Sequence, residues 1–343
     1  MSPWLPTAPC TPGRCAAHPG PAAAARGAAA GVLRLTAGLA VVLLGVVLSP
    51  LTAPLPAAGR RFLVRCWCRS VLAAFGVRIR VTGRAVPDAG PLLVVANHIS
   101  WLDVPLIAAV LPGRMLAKRE VRGWPVLGRL AALGGTLFID RDRLRSLPGT
   151  VGAMSCVLAG GGRVIVFPEG STWCGRARGV FRAAAFQAAV DTGSDIQPVR
   201  IDYTPVGAAA YVGVDTLGAS LWRIATARRL VAEIRILDPI SSTQHPASSS
   251  RYPGSNSQYP ARRALARAAH SAVALDPISH ILDPISDMQN LISDIQDPPS
   301  RATLPAVPAQ PTVARESANL PASSVHQRDS VSPASASSAR TPS

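Results

Sequence analysis

Apolar and polar positions divide this chain into four stretches. Residues 35–58 run from Leu35 to Ala58 without a charge, and about 20 apolar residues suffice to cross a bilayer. Pro50 and Pro54 interrupt a straight span, so a hairpin-like or re-entrant helix competes with an uncleaved anchor. A cleaved leader ending near Ala57-Ala58 is the third option. Residues 61–77 predict an amphipathic helix, lying on a membrane surface or packed on the core. From residue 78 short apolar runs alternate with helical patterns. Strands are expected over 77–81, 92–96, 136–139, 163–167, 196–201 and 231–237, and helices over 104–110, 150–159 and 181–190. That alternation predicts an α/β fold, a mixed sheet flanked by helices, with function in the loops beyond the strand ends.

The flanking stretches have a different character. Residues 1–30 are rich in Pro, Ala and Gly and predict a disordered extension; 31–77 is the membrane-anchoring helix or helix pair; 78–237 is the α/β domain. Residues 238–343 form a low-complexity, disordered tail. Leu-Asp-Pro-Ile-Ser recurs at 237–241, 275–279 and 282–286, with a short Ala/Arg-rich helix over 262–273 between the first two copies. Asp-Pro forms turns, and no regular period supports a solenoid.

Charge sharpens this division. The 343 residues carry a formal net charge of +16. Residues 60–237 hold 24 Lys and Arg against 11 Asp and Glu, so nearly all of the excess sits in the folded stretch. Such a surface attracts anionic lipid or phosphorylated substrates. Nucleic acid is disfavoured as a partner, because aromatics are only 5% and no zinc-finger or RNP signature occurs. Arg26 and Arg34 precede the apolar segment, whereas Arg60, Arg61, Arg65 and Arg69 follow it. The larger cluster follows, which predicts a cell-membrane protein with its downstream domain on the cytoplasmic face. Six cysteines, at 10, 15, 66, 68, 156 and 174, form no CxxC and no zinc-ligand spacing with histidine, so buried free thiols and no metal are expected.

The strongest chemical signal is Asn97-His98-Ile99-Ser100-Trp101-Leu102-Asp103, directly after the apolar run 91–96. A neutral imidazole takes a proton from a hydroxyl near pH 7, and a carboxylate holds its tautomer. Five residues on a regular helix is about 140° of rotation, so the two side chains meet only if His98 lies in the loop and Asp103 in the first helical turn. Ser100 as N-cap, with an acid three residues on, matches a capping pattern. The plain alternative is that Asp103 merely caps a helix and His98 is an ordinary loop residue.

Three further blocks follow in order: Gly134-Gly135-Thr136-Leu137-Phe138-Ile139-Asp140-Arg141, then Val164-Ile165-Val166-Phe167-Pro168-Glu169-Gly170-Ser171-Thr172, then Ile196-Gln197-Pro198-Val199-Arg200-Ile201. With Ala117-Lys118-Arg119-Glu120 between the first two, this ordered set resembles the 1-acylglycerol-3-phosphate O-acyltransferase (lysophospholipid acyltransferase) family over roughly residues 60–237. The resemblance implies a glycerolipid acyltransferase-like fold and transfer of an acyl chain from acyl-CoA or acyl-carrier protein to a lysophospholipid hydroxyl, with no cofactor or metal. It implies His98 as general base and Asp103 as its orienting partner. Arg141 would hold the acceptor phosphate, Glu169 and Gly170 its glycerol part, and Pro198 would be structural or near the donor. Asn97, Ser100, Lys118 and Ser171 complete the expected substrate-binding set. An Arg141 salt bridge to Asp140 or Asp142, and a plain turn at Gly170, are the alternatives.

One departure matters. The family commonly reads Phe-Pro-Glu-Gly-Thr-Arg, whereas Ser171 and Thr172 follow Gly170 here. Arg176, Arg178 or Arg182 then replaces the missing charge, or the acceptor is a lyso-aminolipid such as lyso-ornithine lipid. Among other classes, a serine hydrolase lacks its GxSxG, a metalloenzyme lacks a third ligand beside His98 and Asp103, and a non-catalytic membrane scaffold leaves the four ordered blocks unexplained.

Overall fold

The computed structural model describes residues 7–16, 21–52, 54–85, 90–124, 127–243 and 258–274. All belong to the first of two units, 1–281 and 282–343; the second lies wholly outside the described residues. The helices are α1 (Pro12–Cys15), α2 (Pro21–Leu48), α3 (Ala57–Ala74), α4 (Asp103–Val110), α5 (Leu127–Leu133), α6 (Leu147–Ala159), α7 (Phe186–Thr192), α8 (Val206–Ala209), α9 (Leu217–Thr226) and α10 (Gln258–Ala274). The strands are β1 (Val77–Gly83), β2 (Leu92–Ala96), β3 (Arg114–Lys118), β4 (Leu137–Ile139), β5 (Arg163–Val166), β6 (Asp195–Thr204) and β7 (Leu230–Ile236).

The strands form one mixed sheet in the order β1-β7-β6-β2-β5-β3-β4, with β6 and β7 antiparallel and every other pair parallel. β2 and β5 are buried along their whole length, as central strands covered on both faces must be. The two-residue period of β2 splits the core. Leu92, Val94 and Ala96 pack with Leu72, Leu106 and Ile107, while Leu93 and Val95 pack with Met154, Leu158, Phe186 and Leu265. Because β2, β5, β3 and β4 run parallel, their carboxyl ends lie along one edge.

Several elements differ from the sequence expectation. β3 was not anticipated: its sequence Arg-Met-Leu-Ala-Lys has neither β-branched residues nor alternation. α5 and α9 were also missed. The expected disorder up to residue 30 does not hold for 7–16 and 21–30, because α1 packs on the domain and α2 already begins at Pro21. Nor does the domain end at 237. Ile240 pairs with Ile196 in an antiparallel bridge, and α10 buries Leu265, Ala266, Ala269 and Val273 in the second core. The later Leu-Asp-Pro-Ile-Ser copies lie outside the described residues.

Residues 27–52 make a helical segment long and apolar enough to cross a membrane, mostly exposed rather than buried. α2 nevertheless packs on α3 and α9 along one side. Gly31, Gly38 and Gly45, seven residues apart, face the Trp222 ring and Thr226, the Phe75 ring and the Trp67 ring. A side chain at any of the three would meet Thr226, Phe75 or Trp67 at under 3 Å, with the Trp222 ring at 3.5 Å from the first. Arg34, in the middle of this helix, donates through Nη1 to the carbonyls of Ala225 and Ala227 at 3.1 and 2.6 Å. Those carbonyls end α9, where a cation also meets the negative end of the helix dipole.

Candidate active site

His98 leaves β2 in a loop, and Asp103 is the first residue of α4, so the two side chains meet across a tight turn. His98 Nδ1 lies 2.8 Å from Asp103 Oδ2. The same oxygen accepts the backbone N–H groups of Ile99 (2.7 Å) and Ser100 (2.9 Å), and Oδ1 accepts the Tyr203 hydroxyl at 2.6 Å. Asp103 is completely buried with every bond arriving from a donor. An acceptor-only carboxylate puts the proton on Nδ1 and leaves the Nε2 lone pair free to accept one. The ring stacks on Phe167 with centroids 4.1 Å apart and stays partly exposed. Burial, the Asp103 charge and its hydrogen bond all push the Tyr203 phenol well above its usual range, so it stays protonated and donates.

The loop is fixed from both sides. The His98 carbonyl accepts from Trp173 N–H at 2.7 Å and the Ile99 carbonyl from Tyr211 N–H at 3.0 Å. The His98 N–H donates to Glu169 Oε2 at 2.9 Å, and Glu169 Oε1 accepts the Gly179 N–H at 3.0 Å. Burial raises the Glu169 carboxyl to about 7; the two N–H bonds oppose that shift and the Asp103 charge adds to it.

Four expected substrate contacts are internal instead. Asn97 is buried, and its amide exchanges two 2.8 Å bonds with the backbone of Ile201, stitching β2 to β6. Ser100 is buried and accepts the Leu102 N–H at 3.3 Å; α4 starts at Asp103, so the cap comes from the Asp103 carboxylate reaching back rather than from Ser100. Glu169 spends both oxygens on backbone. Pro198 is buried in β6 opposite Val95. Its carbonyl accepts from Leu237, but proline cannot return the bond, and Gln197 Nε2 donates to the Leu237 carbonyl at 2.6 Å in its place.

The remaining residues line the carboxyl edge. Lys118 ends β3 and Arg141 follows β4, while Gly170 follows β5. Arg141 donates through Nη1 to the Gly170 carbonyl. Asp140 is taken by Arg119 at 2.7 Å and, more loosely, by Arg143 at 4.0 Å, so the Asp140–Arg141 pairing does not form. Desolvation and then the nearby Arg141 charge hold the Lys118 ammonium below its ordinary value, with Glu120 opposing. Desolvation also lowers Arg141, again against Glu120. The Ser171 Oγ is enclosed with no protein partner among the described residues. Of the arginines after it, Arg178 is tied to the Val273 carbonyl and to Asp202, while Arg176 and Arg182 are exposed.

Sequence reasoning missed Tyr203. No local pattern marks it; 100 residues separate it from Asp103, and only the β6–β2 pairing brings them together.

Residues 78–202 match the family model described as Acyltransferase. The chain is 37% identical over 191 residues to the lyso-ornithine lipid O-acyltransferase of Pseudomonas aeruginosa, covering 53% of this chain and 71% of that protein. It is 37% identical over 174 residues to the 1-acyl-sn-glycerol-3-phosphate acyltransferase of Neisseria meningitidis, covering 48% and 67%. It is also similar to the crystal structure of the 1-acyl-sn-glycerophosphate (LPA) acyltransferase PlsC from Thermotoga maritima, with a TM-score of 0.50 and 19% identity over 70% of this chain and 94% of that one. That last likeness is one of fold.

Proposed function

This chain belongs to the acyltransferase family, and on that premise we propose that it transfers an acyl group from an acyl thioester to the free hydroxyl of a membrane lysolipid, with His98 as general base. The observation that carries this is the His98–Asp103 pair at 2.8 Å, with a fully bonded carboxylate behind a partly exposed ring. Nε2 takes the proton of the acceptor hydroxyl as its oxygen attacks the thioester carbonyl. Asp103 stabilises the imidazolium that forms, and the proton passes to the departing thiolate. General base catalysis of this kind contributes about 10²–10⁴-fold, and holding the two substrates in line supplies much of the rest.

The preferred acceptor is 1-acylglycerol-3-phosphate. Adjacent parallel strands are about 4.8 Å apart, so the β4 end lies roughly 14 Å along the edge from the β2 end. Arg141 reaches back over β3 to the Gly170 carbonyl, which brings its guanidinium toward the histidine. A phosphate there meets Arg141 bidentately and Lys118 as a point charge. Gly170, where the backbone lies open to close approach, suits the glycerol part. A lyso-aminolipid is the second reading. The missing arginine after Gly170 favours it, because a headgroup with both an amine and a carboxylate needs fewer cations. The reading takes acyl-CoA or acyl-carrier protein as the donor and α2 as the anchor on an anionic cell membrane, and the Arg60–Arg69 cluster supports an active site on the cytoplasmic face.

Purified protein in detergent, given labelled acyl thioester and a panel of lysolipids, tests the proposal. Acylation of the phosphate acceptor, lost at least 100-fold in His98→Ala, is the expected result. Release of free fatty acid without an acceptor, or full activity in His98→Ala, overturns it. Acylation of the aminolipid alone selects the second reading.

A further inference from the structure

Three of the six cysteines converge where the sequence gives no sign of it. The Sγ atoms of Cys10, Cys15 and Cys174 all lie within 4.8 Å of one another. Cys10 and Cys174 are buried, and Cys15 is partly exposed. The cluster belongs to a built interface. Residues 8–15 pack on Trp173, Cys174 and Val212. Gly213, at φ +61°, lets the Cys10 carbonyl come so close that a Cβ would sit 2.9 Å from it.

Chemistry narrows what the cluster can hold. Thiols bind metal as thiolates, and soft sulfur donors without oxygen ligands select Zn²⁺ or Cu⁺. With Zn–S bonds of about 2.3 Å, three sulfurs on a tetrahedron stand roughly 3.8 Å apart. The observed spacing needs only a small contraction. The partly exposed Cys15 side leaves room for water as fourth ligand, which suits tetrahedral Zn²⁺ better than a closed three-coordinate Cu⁺ site.

We propose that Cys10, Cys15 and Cys174 form a zinc-binding site that clamps the N-terminal arm to the active-site loop. Binding replaces thiol protons with the ion and releases up to three of them to solvent. The clamp lies next to the base: Trp173, adjacent to Cys174, is the residue whose N–H holds the His98 carbonyl at 2.7 Å. The site needs no catalytic step through the metal.

The full-length protein in detergent, reduced, stripped with chelator and dialysed, is titrated with Zn²⁺ against a competing indicator and with Co²⁺ by absorption. One ion per chain, a raised thermal midpoint on loading and a thiolate-to-cobalt charge-transfer band are expected. Cys15→Ser, at the exposed corner, keeps the buried pair and so guards against misfolding. It should weaken Zn²⁺ at least as much as loss of an outer-shell partner does, about 10–100-fold. Cys10→Ser and Cys174→Ser should behave alike, and Cys66→Ser and Cys156→Ser should bind as the parent does. Zn²⁺ uptake unchanged in all three cluster variants, uptake of Cu⁺ but not Zn²⁺, or no uptake by fully reduced protein overturns the proposal.

Discussion

Glu169 holds His98 by its backbone: the histidine N–H donates to one carboxylate oxygen at 2.9 Å while the other oxygen accepts from Gly179. The glutamate of the third sequence block thus sets the position of His98, the proposed base, and is itself buried. Its carboxyl is raised by burial from 4.5 to about 7. A group that binds its proton more tightly when folded favours the fold below pH 4.5 and loses that contribution as pH climbs through 7. The thermal midpoint should therefore fall across that window, by a free energy of at most about 3 kcal/mol. Glu169→Gln should flatten the fall. An identical pH profile in the variant, read by calorimetry, would contradict this assignment.

Tyr203 supplies the fourth hydrogen bond to Asp103. Tyr203→Phe leaves a buried carboxylate oxygen without its donor, which should cost about 1–3 kcal/mol of stability. Asp103→Asn is expected to do more damage to turnover, because a neutral amide cannot stabilise an imidazolium, and its NH₂ must face either the Tyr203 hydroxyl or, turned the other way, Nδ1 and the Ile99 and Ser100 N–H groups. Denaturant melts and initial rates on both variants distinguish the two effects: Tyr203→Phe should lose stability with a modest loss of rate, and Asp103→Asn should lose both.

Arg141 has a different signature. A charge-assisted hydrogen bond is worth about 1.5–3 kcal/mol, so Arg141→Ala should raise KM for a phosphate-bearing acceptor about 10–100-fold with a smaller change in kcat. KM for the acyl thioester should stay put. An equal rise for both substrates would point to a distorted loop rather than a lost phosphate contact.

α10 carries a prediction about stability alone. Leu265 is fully buried against the second core, and truncating such a side chain costs about 2–5 kcal/mol. Leu265→Ala should lower the unfolding midpoint accordingly. A variant as stable as the parent would mean that this helix is not part of the core.

How much of this was legible in the sequence depends on the reach of each interaction. The His98–Asp103 geometry was readable because it is local; a loop, a turn and a first helical residue follow from seven letters. The strands β2 and β5 declared themselves as unbroken apolar runs ending in the motif residues. The sequence did not reveal that Asn97, Ser100, Glu169 and Pro198 turn inward. Polar letters next to a motif histidine look like ligand contacts; the long-range backbone partners of Asn97 and Glu169 exist only once β2 lies beside β6 and β5. Tyr203 and the Cys10–Cys15–Cys174 cluster were invisible for the same reason. β3 was hidden because its strand status comes from its neighbours β5 and β4, not from its own residues.

The glycine row on α2 has a kinetic consequence. A helix seated on Trp67, Phe75 and Trp222 at seven-residue intervals is a rigid wall of the enzyme, not a tether. With α2 in the bilayer as proposed, the active site is locked at one height above the lipid plane and meets its acceptor by lateral diffusion. Rates in mixed micelles should follow the mole fraction of lysolipid in the surface, and diluting that surface with inert detergent at constant bulk concentration should slow the enzyme in proportion.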